Sequence, residues 1–365
     1  ARACAEEGLS TLCIEEHGTI GHPVQCAGLL STAAFDVCRV SRRVILATMK
    51  GAVVYDSAGA PLTIDAGEPK AHVVDRGALD REMAGAAARA GAEFQLKTAV
   101  CGLSGHAVLT RGVSGKGEIP FRLLIAADGV RSPVARMRGF PRPRMILSAL
   151  QAEVPWAGEG EMVQIHPHAS PDFFGWVIPA GDGRARMGLA GCSSVRERFT
   201  RFLGEHAGSC LDLVSGALPI GPAERTYGHR TLLVGDAASL VKPTSGGGIY
   251  TGVRSALHAA AVAAECCEAG SFQDRDLAAY ERRWKEDFGR ELDIGWQLLQ
   301  IRQRMTPAEM DAVLSALRDP ETTETIVRYG NMDRPAALAR RLLTNPRVIR
   351  AAGILLRSGI RTILT

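Results

Sequence analysis

Apolar and polar positions along the chain change their period several times, and each change marks an element. Ala1 to Glu7 reads as the closing turns of an alanine-rich helix, with Gly8 where a left-handed cap is favoured. The apolar run Leu9–Ile14 predicts a short strand that ends in Glu15-Glu16. Val53–Tyr55 and Leu62–Ile64, on either side of Ser57-Ala58-Gly59, predict a hairpin. Asp75 opens a helix whose Leu79, Met83, Ala86 and Ala90 share one face, and Gly91 ends it. Residues 145–192 alternate, with turns at Gly158–Gly160, Ser170-Pro171 and Gly181-Asp182-Gly183, and predict an antiparallel sheet. From Leu277 onward the period is helical, with breaks at Pro307, Pro320, Pro335 and Pro346.

Composition narrows the class. At roughly 150 residues per domain, 365 residues imply two to three units. Hydrophobic residues at 46% and charged ones at 22% are globular values, which excludes disordered, collagen-like and coiled-coil chains. No run reaches the ~18 apolar residues of a membrane span, and the start carries no signal-peptide pattern, so the expected location is cytoplasmic. Nine cysteines without a C-x-x-C pair point to reduced thiols, not to a disulfide framework, a zinc ribbon or an iron–sulfur cluster. His17, His22, His166 and His168 lack ligand spacing, and no metal is expected.

Charge is unevenly placed. The net value is +4, yet arginines 334, 340, 341, 347, 350, 357 and 361 stand in a stretch without an acid, so the rest of the chain is net acidic. Val348, Ile349, Ala352, Leu355, Leu356 and Ile360 form an apolar stripe among those arginines. One reading is peripheral contact with an anionic membrane surface; the other is a helix packed on the body with a solvated basic face. No module or interleaved aromatic set points to nucleic acid.

Two strand–turn–helix stretches carry the chemistry. Leu123–Ala127 runs into Asp128-Gly129, with Arg131 and Ser132 after it. Leu232–Val234 runs into Gly235-Asp236, followed by Pro243-Thr244-Ser245-Gly246-Gly247-Gly248-Ile249 and a long alanine-rich helix. Both strands are apolar on both faces, and open α/β sheets bind ligands at such carboxyl ends. Asp236 can accept hydrogen bonds from a ribitol or ribose hydroxyl. The three glycines let backbone approach a flat ring, and the helix start after them favours negative charge. Glu15, at the end of an earlier strand, suits a ribose hydroxyl; the matching G-x-G-x-x-G turn, about 20 residues upstream, is expected before Ala1.

The order Glu15, Asp75-Arg76, Asp128-Gly129, Gly235-Asp236 resembles that of FAD-dependent enzymes of the glutathione-reductase-2 type, the structural group of p-hydroxybenzoate hydroxylase. Within it the chain most resembles the geranylgeranyl reductase family, above all its archaeal members acting on digeranylgeranylglycerophospholipids. Ile20-Gly-His-Pro-Val-Gln-Cys26-Ala27-Gly28-Leu-Leu-Ser31 matches that family's Cys-x-Gly loop beside the flavin. Phe174-Gly-Trp176-Val-Ile178-Pro179 resembles its Tyr-x-Trp-x-Phe-Pro stretch, with Phe in place of Tyr and Ile in place of Phe.

The resemblance implies an α/β fold: an FAD-binding Rossmann-like domain (1–48, 71–138 and 226–275), an inserted antiparallel β-sheet substrate domain (49–70 and 139–225) and a C-terminal helical segment (276–365). It implies FAD as cofactor. Glu15 would hold the adenosine ribose, Arg76 the pyrophosphate region, Asp236 with Gly235 the pyrophosphate and ribitol, and Gly246, Gly247, Gly248 and Ile249 the isoalloxazine edge. Cys26, Ala27 and Gly28 would lie by the ring, and Asp128 and Gly129 belong to a shared Asp-Gly segment. Phe174, Trp176 and Pro179, with Phe173 and Ile178, would wall an isoprenoid lipid. The implied reaction saturates geranylgeranyl double bonds, with hydride from reduced flavin and a proton from a positioned donor. Cys26 is the candidate donor; its other reading is a small buried hydrophobe, as core packing is for Trp176. The external electron donor, NAD(P)H or ferredoxin, is left open. Two rivals stand beside this reading: a flavin monooxygenase of a hydrophobic substrate, and a lipid-binding protein without flavin.

Overall fold

Strict alternation over residues 145–192 builds the largest sheet of the computed structural model, which describes residues 1–158, 160–346 and 348. Its seven strands run in the spatial order Asp212–Ile220, Met145–Pro155, Arg184–Gly191, Gly175–Gly181, Met162–His166, Gly51–Tyr55 and Pro61–Asp65. Neighbours are antiparallel except Met162–His166 and Gly51–Tyr55, which run parallel. The hairpin read at Gly51–Ile64 thus joins this sheet across a gap of about a hundred residues in sequence. Helix Val195–His206 covers one face, burying Val154, Val177, Met187 and Leu189 beneath Phe199 and Phe202.

The α/β part holds the strand ends that matter. Leu12–Ile14 pairs in parallel with Glu93–Gln95, and Leu124–Ala126 with Thr231–Leu233. Helix Arg76–Arg89 is capped by Asp75, whose carboxylate accepts from the Ala78 N–H at 2.9 Å, and Gly91 (φ +103°) ends it. Leu29–Ser31, Ala71–Val74 and Ile45–Met49 form a small antiparallel sheet. A meander of Thr98–Ser104, Ala107–Gly112 and Gly115–Pro120 was not predicted: its last strand, Gly-Lys-Gly-Glu-Ile-Pro, is almost wholly exposed and has no apolar face. Ile249–Ala269 is a 21-residue helix whose Ala259, Ala260, Val262 and Ala263 are buried, small enough to let it lie close on the sheet.

The helical region breaks at Pro307, Pro320 and Pro335 as its pattern predicts, and differs from its reading at its start. Leu277, Tyr280, Trp284, Phe288 and Leu292 share one core with Leu232, Leu233 and Val262, and the Tyr280 hydroxyl donates to Leu233 O at 2.5 Å. A boundary at 276 therefore cuts through the core of the α/β part. Pro307 and Pro320 begin helices Pro307–Leu317 and Pro320–Tyr329, in the first-turn position where no N–H is needed. Asp311 clamps the first of these to the sheet domain, accepting from Ser57 N (3.0 Å), Ser57 Oγ (2.5 Å) and His168 Nε2 (2.8 Å). Apart from the buried Val348, the stripe expected over 348–360 lies outside the described residues, as do Arg347, Arg350, Arg357 and Arg361. Among the described residues no helix is long and apolar enough to cross a membrane.

Candidate functional site

The glycine loop forms because Gly246 adopts φ +70° and because each glycine faces a close neighbour. A Cβ on Gly246 would press on Leu218 and Phe173 (3.1 and 3.4 Å), and one on Gly248 would meet Asp236 Oδ1 at 2.9 Å. Helix Ile249–Ala269 starts at Gly248 with no side-chain cap, so its first N–H groups point at the loop unclaimed. Asp236 sits beside them on the turn Gly235–Ala238. Burial pushes its carboxyl above the usual carboxylate range, against the pull of Arg76, and the carboxylate accepts no hydrogen bond among the described residues.

Across from this loop lies the Cys26–Gly28 segment. Its Gly28 (φ +70°) leaves room for the Arg186 guanidinium, which donates to Ala27 O (2.7 Å) and Val74 O (3.1 Å). Arg76 hydrogen-bonds the Cys26 sulfur from the helix side and also bonds Asp80 (3.1 and 3.2 Å). Burial opposes the charge on Arg76, but Cys26 and Asp80 outweigh it, so the guanidinium holds its proton above its ordinary range. Burial wins at Arg186, which falls below that range. Arg76 Nε is buried with no partner among the described residues. An orphaned buried N–H is costly unless a ligand claims it.

An aromatic wall completes the arrangement. Phe173 and Phe174 stack at 4.1 Å, and Phe174 meets Trp176 edge-on at 6.2 Å. The indole lies against Gly188, where a Cβ would stand 2.5 Å from it. Its Nε1 donates to Gln151 Oε1 (3.1 Å), and Gln151 Nε2 reaches Cys26 O (3.5 Å), so wall and cysteine loop are one hydrogen-bonded unit. Trp296 and Leu299 of helix Arg290–Arg304 pack on the same cluster. Arg302 of that helix donates to Pro167 O (2.5 Å), Ser170 O (2.8 Å) and Pro171 O, which fixes the loop leading into Phe173. Burial lowers Arg302 to about 10.

The structure thus gathers Cys26, Ala27, Gly28, Arg76, Asp236 and Gly246 to Ile249, with Phe174 and Trp176 beside them. Gly235 (φ +56°) lets the strand end lie close to Gly252. Glu15 is at its expected strand end, where its Oε1 accepts from His17 N (2.8 Å) and pairs with His17 Nδ1 (2.7 Å). Asp128 is spent within the chain: its carboxylate accepts from Ser132 Oγ (2.5 Å) and Val134 N (3.0 Å), capping helix Pro133–Met137 beyond Gly129 (φ +77°). Pro179 pairs with Ala185 on the face under helix Val195–His206, opposite Trp176, because side chains alternate along a strand. It does not line the wall. Sequence reasoning missed Gln151, Arg186, Trp296 and Arg302. Arg186 left a signal, a charge between the fully buried Ala185 and Met187.

An unclaimed guanidinium N–H, a buried carboxyl without a partner among the described residues, a side-chain-free loop and an uncapped helix start together fit the pyrophosphate, ribityl chain and ring of FAD. Among the described residues there is no His, Cys, Asp and Glu group able to hold a metal ion.

No protein-family model matches the chain. A digeranylgeranylglycerophospholipid reductase of Methanothermobacter thermautotrophicus is 34% identical over 339 residues, 86% of either chain. The solved structure of a geranylgeranyl bacteriochlorophyll reductase-like protein from Thermoplasma acidophilum superposes with a TM-score of 0.86 at 25% identity, covering 97% of this chain and 95% of that one. A flavoprotein/dehydrogenase from Cytophaga hutchinsonii shares the fold, with a TM-score of 0.71 at 17% identity over 98% and 96% of the two chains. On the extent of the first of these matches, the chain belongs to the digeranylgeranylglycerophospholipid reductase family.

Proposed function

We propose that the chain is an FAD-dependent reductase that saturates carbon–carbon double bonds in the geranylgeranyl chains of membrane-lipid precursors. The observation that carries this reading is the link from Trp176 through Gln151 to Cys26, which ties an apolar wall to the loop facing the glycine turn. An isolated trisubstituted alkene has no carbonyl to draw electrons from it, so it must be held dry and aligned while both carbons receive hydrogen. When bound, FAD supplies the two-electron chemistry, a hydride for one alkene carbon.

The chain's own residues do the rest. Phe174, Trp176 and Leu218, with Trp296, exclude water from the alkene. Asp236 and Arg76 hold the polar part of the cofactor, and the start of helix Ile249–Ala269 stabilises negative charge there. Cys26 gives the second carbon its Sγ proton, held in place by the neighbouring Arg76, and regains one from water. An external carrier returns the electrons. The arginines from residue 340 onward supply charge for contact with anionic head groups.

An anaerobic assay tests the reading. Purified protein with reduced flavin and a digeranylgeranyl phospholipid should yield product with two added hydrogens per double bond. Strict dependence on oxygen, with an oxygenated product, would establish the monooxygenase instead. A purified full-length protein without flavin absorbance near about 450 nm, even after reconstitution, would leave only lipid binding.

A further inference from the structure

Segment 330–335 leaves the helical region and returns to the two loops that meet at the site. Asn331 Oδ1 accepts from the backbone N–H groups of Asp333 (2.8 Å) and Arg334 (3.0 Å), which fixes the turn. Asp333 is 3% exposed, and its Oδ1 accepts from Lys242 Nζ at 2.5 Å while its Oδ2 accepts from the Ser31 hydroxyl. Lys242 is itself buried and immediately precedes the glycine loop, bonding it through its own backbone to Gly246 N (2.9 Å) and Gly247 O (3.1 Å). At the loop's other end, Tyr250 hydrogen-bonds Arg334, which also reaches Asp287 at 3.4 Å. Ser31 lies three residues after Gly28 and caps helix Thr32–Cys38 by accepting from Ala34 N at 2.9 Å.

One turn therefore grips both brackets of the glycine loop, Lys242 and Tyr250, together with the strand that follows the cysteine loop. Stability is a weak reason for such a pair, since desolvating two charges offsets most of their attraction and apolar residues of similar volume would serve as well. What an apolar pair lacks is direction. The carboxylate has two oxygens, and each holds a different chain segment at a fixed distance.

We infer that Asp333 is a positioning residue for the cofactor, setting the separation of the Cys26–Gly28 and Gly246–Ile249 segments through Ser31 and Lys242. The inference rests on the flavin reading of that site. It extends the functional site to a residue 302 positions from Ser31, inside a region the sequence presents as a tail.

The test uses the full-length protein stripped of flavin and titrated with FAD, with the melting temperature of the apoprotein measured in parallel. Asp333→Asn should raise the FAD Kd about tenfold, within the range that coupling between sites usually spans, and shift the bound-flavin spectrum. Lys242→Met should act in the same direction. The double variant Lys242→Met/Asp333→Leu should regain apoprotein stability without regaining FAD affinity. Asp311→Asn, which breaks another clamp of the helical region, should lower the melting temperature and leave the Kd within about twofold. An unchanged Kd in Asp333→Asn overturns the inference, as does a double variant that recovers affinity along with stability, or an Asp311→Asn that weakens FAD equally. Should Asp333→Asn not fold, Ser31→Ala carries the same test, and an unchanged Kd there is equally fatal. A wild-type protein that takes up no FAD would sink the flavin reading itself.

Discussion

The two faces of the seven-stranded sheet come from alternate residues of the same strands, and neighbours in sequence have opposite tasks. Gln151, Trp176 and Arg186 point at the cysteine loop, while Ala152, Val177 and Met187, each the next residue, are fully buried on the other face under Phe199 and Phe202. The back face is packed apolar side chains with few polar atoms to satisfy. The site face carries an indole N–H that donates to the Gln151 amide beside it, and that amide and the Arg186 guanidinium are spent on directed bonds to the cysteine loop. A single strand can therefore be cut, residue by residue, into positions that hold the fold and positions that hold the chemistry.

Substitutions on adjacent residues break this comparison most sharply. Met187→Ala removes a fully buried side chain and should cost about 2–5 kcal/mol of stability, with kcat/KM of the folded fraction unchanged. Trp176→Leu should do the opposite: kcat/KM on the prenyl lipid falls at least about tenfold, while the half-buried position loses roughly 1–2 kcal/mol. Urea titration and steady-state kinetics on both proteins decide it. If the Met187 variant loses catalysis as heavily as the Trp176 variant, the two faces are not separate.

A buried titratable ring on the back face, His166, sharpens the contrast through pH. His166 stacks on Tyr55 (5.0 Å) and meets Phe202 and His206 edge-on, and its Nε2 is buried with no partner among the described residues. Burial, with His206 adding to it, pushes its pKa down to about 4 from the ordinary 6.5. Between those values the unfolded chain binds a proton that the folded chain refuses, so stability falls as pH drops through the window and is unaffected above it. The loss by the bottom of the window is about 2–3 kcal/mol. His166→Phe should remove that slope; denaturation midpoints at pH 7.5, 5.5 and 4.5 that decline equally in both proteins would rule the ring out as its source.

How much of this could be read beforehand depended on distance along the chain. Helix Arg76–Arg89, the hairpin Gly51–Asp65 and the Gly235-Asp236 strand end were legible because period, cap and turn residues lie within a few positions of one another. Pro179 was misread although the same period of two that puts Trp176 on the site face puts Pro179 off it. Asp128 was legible as a strand end, but its capping of the next helix depends on Ser132 and Val134, a local bond that the resemblance obscured. Lys242 and Asp333 gave no signal at all, since a buried pair formed across 91 residues has no periodicity to betray it. Arg302 was likewise hidden: one arginine on a helix end looks solvated until the loop it holds is known.

Gln151 separates the two faces at the level of single atoms. Its amide touches both the wall and the cysteine loop, accepting from Trp176 and donating to Cys26 O. Gln151→Leu removes both bonds and should lower kcat/KM by about five- to tenfold, with a stability change near 1 kcal/mol, since Ala152 and its neighbours on the back face are untouched. Gln151→Glu keeps the acceptor for the indole and loses only the donor to Cys26 O. If orientation of the wall is what the amide secures, the Glu variant stays close to wild type; if the cysteine loop is, it falls with the Leu variant. Equal and full activity in both variants would mean that wall and loop are positioned independently, and the unit drawn from Trp176 to Cys26 would be a contact without a function.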